Sequence, residues 1–198
     1  MFPFIQGLIQ DATEKIPDIW QGSPMDGIQK LTCDQSGKVG ETLIIKICEE
    51  AGISYEYRGD HCSSTVDGGK VYDLVIIIGD RRINVEIKTA RVSSTGLNFQ
   101  HESLRNDRGS DFWIFVDIEP NQMHVFVLKD FDLSVPEKHP ILGRKPHLRK
   151  DTMNTYKYDV GPAVLHRAKA AGIATSFSND DPDTLRGVGE FIRGVLTQ

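Results

Sequence analysis

Hydrophobic and polar positions are most informative between Val71 and Arg91, in the stretch VYDLVIIIGDRRINVEIKTAR. Two runs rich in Val and Ile flank Gly79-Asp80, and a Gly-X pair between β-rich runs signals a hairpin with a primed two-residue turn. With Ile78 opposite Arg81, counting outward places Asp73 opposite Glu86. Side chains alternate along a strand, so Asp73, Glu86 and Lys88 share one face. Tyr72, Leu74, Ile76, Ile78, Ile83, Val85 and Ile87 form the other face, which is almost wholly apolar. One face is built for burial and the other around charge.

The same pattern predicts the remaining elements. Phe4, Ile5, Leu8, Ile9, Ala12 and Ile16 recur at helical spacing before Pro17, and 18–36, rich in Gly, Pro, Ser, Asp and Gln, reads as a loop with at most a short helical turn. A second helix runs from about Gly37 to Ala51, with Ser36 as N-cap, Gly52 as stop, a stripe of Val39, Leu43, Ile44, Ile47, Cys48 and Ala51, and Glu41 in the first turn. Ile53–Arg58 reads as a short strand and 59–70 as a polar loop. Asn98–Arg105 reads as two helical turns carrying Gln100, His101, Glu102 and Arg105, suited to phosphates or base edges, or simply a solvated helix face. Asp111–Ile118 and Met123–Leu128 predict a second hairpin extending the same sheet, with Trp113, Phe115, Phe126 and Val127 in the core. Tyr156–Val160 predicts a last strand, and Pro162–Ala171 and Asp183–Leu196 two terminal helices for packing or self-association.

Composition narrows the class. A chain of 198 residues, 39% hydrophobic and 26% charged, is long enough for one sizeable soluble domain with a real core. No apolar run approaches the roughly 20 residues that span a bilayer, and the N-terminal stretch lacks a basic n-region, so a cytoplasmic protein with no membrane contact is expected. Cys33, Cys48 and Cys62 show no metal-site spacing, and free thiols are expected. The net charge of −5 argues against a uniformly basic nucleic-acid coat. It leaves room for a local one: KHPILGRKPHLRK, from Lys138 to Lys150, holds five Lys or Arg, two His and no acid, and its prolines and glycine forbid a regular helix. Arg144 and Lys145 within it are candidates for phosphate contacts.

Like charges directly opposite on a sheet destabilise it unless something neutralises them. Paired Cβ atoms lie about 4.5–5.5 Å apart, within reach of one divalent ion, and Mg²⁺ takes carboxylate and carbonyl oxygens. The plainer alternative makes Asp73 a strand cap and Glu86 and Lys88 solvated strand charges. Glu41 has two readings as well, complementing the helix dipole or serving as a third acid at the metal site. His101 is a candidate general base, with Glu102 as an equally good structural partner.

Asp73, twelve intervening residues and then Glu86-Ile87-Lys88 resemble the PD-(D/E)XK nuclease superfamily. The resemblance covers about Gly37 to Leu128, and departs in having Tyr72 where proline often precedes the aspartate. A compact chain with added loops and helices looks like a type II restriction endonuclease within that superfamily. The resemblance implies an α/β fold with a restriction-endonuclease-like core, a central mixed β-sheet flanked by α-helices. It implies one nuclease domain over 1–198, with the catalytic core at about 37–128 and the basic loop and helices at 129–198. Asp73, Glu86 and the Ile87 carbonyl would hold Mg²⁺, Lys88 would lie beside the attacking water, and Glu41 would serve a second ion or fix Lys88. The implied activity is Mg²⁺-dependent hydrolysis of double-stranded DNA at a specific sequence by a homodimer, without an organic cofactor. A junction-resolving or repair nuclease of the same fold, and a non-catalytic nucleic-acid-binding module, are the alternatives. Arg91, Asn98, Gln100, Arg105 and Arg108 are candidates for base recognition.

Overall fold

The computed structural model describes residues 5–6, 19–59, 72–93, 98–105, 109–129, 132–133, 139, 141, 147–148 and 155–198. Most of the first predicted helix, the greater part of the 59–70 loop and nearly all of the basic loop, including Arg144 and Lys145, lie outside the described residues, as does Arg108.

A 3₁₀ helix, Asp26–Lys30, precedes α1 (Cys33–Glu50). There follow β1 (Ser54–Tyr57), β2 (Leu74–Ile78), β3 (Arg81–Arg91), β4 (Phe99–Leu104), β5 (Phe112–Ile118), β6 (Met123–Lys129), β7 (His147–Leu148) and β8 (Tyr156–Val160). The chain ends with α2 (Pro162–Ala170), β9 (Ala174–Phe177) and α3 (Pro182–Leu196). Six strands form a mixed sheet in the order β1-β2-β3-β5-β6-β9, and β4, β8 and β7 form a second sheet in that order. Within the larger sheet β3 and β5 run parallel, while the other neighbours pair antiparallel. Parallel neighbours need a crossover, and β4 lies in the connection from β3 to β5.

The fold is therefore α/β, a central mixed sheet flanked by helices, as the resemblance implies. Ile44, Ile47 and Cys48 of α1 are fully buried, and burial pushes the Cys48 thiol up to about 12, so it remains an apolar core group. Gly40 makes the closest approach to the sheet, since a Cβ there would fall 1.9 Å from Thr89 Oγ1 on β3. α3 packs on the end of α1, where Gly189 abuts Ile47 and Ala51 and Arg193 Nη2 donates to the Ala51 carbonyl at 2.8 Å. The second sheet rests on the face of β5 that carries Phe115 and Asp117. The His101 ring stacks on Phe115 at 4.2 Å, and its Nε2 pairs with Asp117 Oδ1 at 2.7 Å, both side chains fully buried.

Three sequence expectations are corrected. α1 starts four residues before Gly37, because Thr32 and Gln35 form a capping box that the polar first turn conceals. Val39 is 40% exposed, outside the core stripe, because Gly40 takes the position facing the sheet. Residues 99–104 are strand β4 and make no helical turns: Phe99, His101 and Leu104 are buried while Gln100 is exposed, and pairing to β8 satisfies the backbone. The edge strand β9 was not predicted at all.

Candidate active site

The hairpin has the register that the sequence predicts, with Ile78 opposite Arg81 and Leu74 opposite Val85. Gly79 takes a φ of 58°, the positive value that a II′ turn requires at its first central position. Asp73 lies one residue beyond the last ladder pair, opposite Glu86. Its main chain is held on both sides: its N–H donates to Val85 O at 3.1 Å and its carbonyl accepts from Arg58 N at 2.8 Å. The side chain turns onto β3, where Oδ2 accepts from the Ile87 N–H at 2.7 Å. One oxygen thus caps the ladder, as the plainer reading of Asp73 expects.

Glu86 is buried, 2% exposed, and its Oε1 lies 2.6 Å from Lys88 Nζ, itself 19% exposed. Glu86 and Lys88 sit opposite Trp113 and Phe115 of β5, which wall the pair off from water on that side. Burial first, and then the Glu86 charge, pushes the Asp73 carboxyl up to about 7, with Lys88 and the Ile87 N–H pulling the other way and Glu41 adding a smaller upward push. Two carboxylates in partial burial, with one ammonium beside them, make a face that gains from a cation.

A cleft of about 810 Å³ opens on this face, lined by Asp73, Ile87 and Lys88 from the hairpin and by Glu41 from α1. Glu41 sits eight residues into the helix, too far from its N-terminus to complement the dipole. Its Oε2 accepts from Tyr57 Oη at 2.5 Å, and Tyr57 Oη accepts in turn from Lys38 Nζ at 2.5 Å. Burial, and then the bond to Glu41, raises the Tyr57 phenol, so it stays protonated as the donor. No periodicity marks Tyr57 in the sequence, because only the tertiary pairing of β1 with β2 brings it beside α1. Among the described residues no three His, Cys, Asp or Glu side chains converge as a metal cage. Asp73 and Glu86, opposite each other across the hairpin, are the residues that could hold a cation, and Glu41 lines the cleft with Asp73.

Arg91, Asn98 and Gln100 also line the cleft, whereas Arg105 does not. Arg91 Nη1 donates to Ile28 O at 2.6 Å and to Leu31 O at 3.4 Å, so it ties the 3₁₀ segment to the end of β3. His101 points into the core on Asp117, away from any reacting group, and Glu102 lies 3.7 Å from Lys157. Five carboxylates and two cations line the cleft among the described residues.

No protein-family model and no curated protein matches the sequence. A solved structure, that of a bacterial homing endonuclease, is similar at 12% identity over 83% of this chain and 98% of its own, with a TM-score of 0.42.

Proposed function

We propose that this chain is a divalent-metal-dependent endodeoxyribonuclease acting on duplex DNA, of the PD-(D/E)XK type. The observation that carries the reading is that Asp73, Glu86 and Lys88 share one face of the hairpin, with Asp73 and Lys88 lining an open cleft and Glu86 buried behind Lys88. The donor set suits Mg²⁺, which keeps several of its waters and needs only one or two carboxylates, better than ions that require a full protein cage. When bound, such an ion supplies a more acidic water and charge neutralisation for a phosphodiester.

The chain's own groups account for the rest. Lys88, anchored by Glu86, presents a fixed ammonium to a phosphoryl oxygen and stabilises the charge that builds there during in-line attack by water. Trp113 and Phe115 keep that ammonium in a dry wall, where it acts more strongly than in bulk water. Ile87 fixes Asp73 through its N–H, and Tyr57 fixes Glu41. The carboxylate excess explains why DNA would not enter without a cation, and the basic segment at Arg144 and Lys145 is the proposed phosphate clamp on the approaching duplex. Sequence specificity of the restriction type, and a homodimer so that two sites cut two strands, complete the proposal.

The Lys88–Glu86 contact is also what a structural ion pair in a non-catalytic binding module would show. Incubation with plasmid and phage DNA, with and without Mg²⁺, separates the readings. The expected result is discrete bands that require Mg²⁺. A Mg²⁺-dependent smear would point to a nonspecific or repair nuclease, and an intact substrate with a mobility shift would make the chain a binding module.

A further inference from the structure

The second sheet is two-faced. On β4, Phe99, His101 and Leu104 are buried, and on β8, Tyr158 and Val160 are buried. Alternation sends Gln100, Glu102, Lys157 and Asp159 to the other face. Gln100 stands directly opposite Asp159, and its Nε2 donates to Asp159 Oδ1 at 3.3 Å, while Lys157 Nζ lies 3.7 Å from Glu102 Oε1. Gln100, Glu102 and Asp159 line the same cleft as Asp73 and Lys88. The register breaks between His101 and Leu104, where Ser103 holds a φ of 58°, and such a bulge re-aims the side chains beside it.

Resting on the nuclease reading above, we infer that the β4–β8 ribbon is the base-reading element, with Gln100, Glu102 and Asp159 recognising amino-bearing base edges in the major groove. The major groove admits a two-stranded β-ribbon, and a duplex with its phosphate at Lys88 would fill the cleft that this ribbon walls. The chemistry of the face sets the class of base. Carboxylates only accept, so Glu102 and Asp159 match the N4 amino group of cytosine, and an amide matches the N6/N7 edge of adenine. Guanine offers two acceptors in the same place, and among the described residues of β4 and β8 on this face it would meet one cation, Lys157, against two carboxylates and an amide. The ribbon's clasp to β5 through His101 and Asp117 gives the reading face a rigid mount on the strand beside β3.

The test is selection from a library of duplexes with a randomised centre, in Ca²⁺ in place of Mg²⁺, on full-length wild type, Gln100→Arg and Asp159→Asn, each first shown to melt like the wild type. Wild type should enrich a motif containing adenine or cytosine. Gln100→Arg should move one position from adenine to guanine, with roughly 10- to 100-fold changed discrimination, and leave the other positions as they were. Asp159→Asn should alter a cytosine-bearing position and, through the hydrogen bond from Gln100 to Asp159, weaken discrimination at the adenine position as well. Wild-type motifs from both variants would overturn the inference, as would a wild type that cuts DNA in a Lys88-dependent way yet enriches no sequence. A wild type that neither binds nor cuts duplex DNA would remove the nuclease reading beneath it.

Discussion

The β2–β3 hairpin and the β4–β8 ribbon border one cleft, and they acquire their order in opposite ways. The hairpin is local. Its turn, its alternation and its apolar face lie within 21 residues of sequence, and Asp73, Glu86 and Lys88 converge because a two-residue turn fixes the register. The ribbon is not local. Gln100 meets Asp159 across 59 positions of chain, and the sheet holds its place through the buried His101–Asp117 contact to β5. The proposed reacting centre on the first region would inherit rigidity from its own sequence, while the proposed recognition surface on the second would depend on a distant clasp.

Breaking that clasp is the largest expected effect. Asp117→Ala would leave the buried His101 ring nitrogen without its partner, which costs about 1–3 kcal/mol, and would open a cavity beside it, adding to the loss. Replacing both, as His101→Phe with Asp117→Leu, should recover most of the loss, because a packed apolar pair avoids the desolvation. Urea denaturation of the two variants measures it, and equal stabilities would show that the clasp does not hold the ribbon.

The hairpin should respond to pH instead. The Asp73 carboxyl is held at about 7, above its ordinary 3.8, so between those values the folded state binds a proton that the unfolded state has lost. The contribution of Asp73 to stability is then fully present below pH 4, is lost as pH rises to 7, and is level above it. Asp73→Asn removes the decline and should raise stability at pH 8 by a few kcal/mol relative to wild type, with a smaller gap at pH 5. Mg²⁺ at pH 8 should raise the Tm of wild type and leave Asp73→Asn unchanged. Thermal melts at the two pH values check both statements.

Gly40→Ala sits at the seam between α1 and β3. The added methyl meets the β-branched Thr89, and overpacking of this kind costs about 1–3 kcal/mol. It should also shift Glu41, one residue along, and lower cleavage more than DNA affinity, as a comparison of single-turnover rate with Kd would reveal. Ser103→Gly acts on the ribbon alone and should stabilise by about 1 kcal/mol or less, by relieving a left-handed backbone at a non-glycine residue.

The same contrast explains what could be read from the sequence. The first hairpin is legible because Gly79-Asp80, between two runs rich in Val and Ile, leaves one register. The second, Phe112–Ile118 with Met123–Lys129, was legible from its β-branched and aromatic content. β4 was misread because its buried positions include a histidine and its alternation breaks at the Ser103 bulge, so FQHESL carries no clean period of two. His101 was paired in expectation with its neighbour Glu102, while its partner is Asp117, which only the approach of two sheets supplies. The role of Tyr57 on Glu41 was hidden for the same reason. β9 is short, mixed in polarity and defined by its pairing to β6.

If Lys88, on its Glu86 anchor, serves a phosphodiester-cutting centre, its removal should slow cleavage and spare binding. The most direct measurement is the rate at which supercoiled plasmid is nicked in Mg²⁺ by wild type and by Lys88→Ala, each shown to bind the same DNA in Ca²⁺. The rate should be lower by roughly 10²–10³-fold or more in the variant, with binding largely retained. Nicking by Lys88→Ala at the wild-type rate would contradict this role.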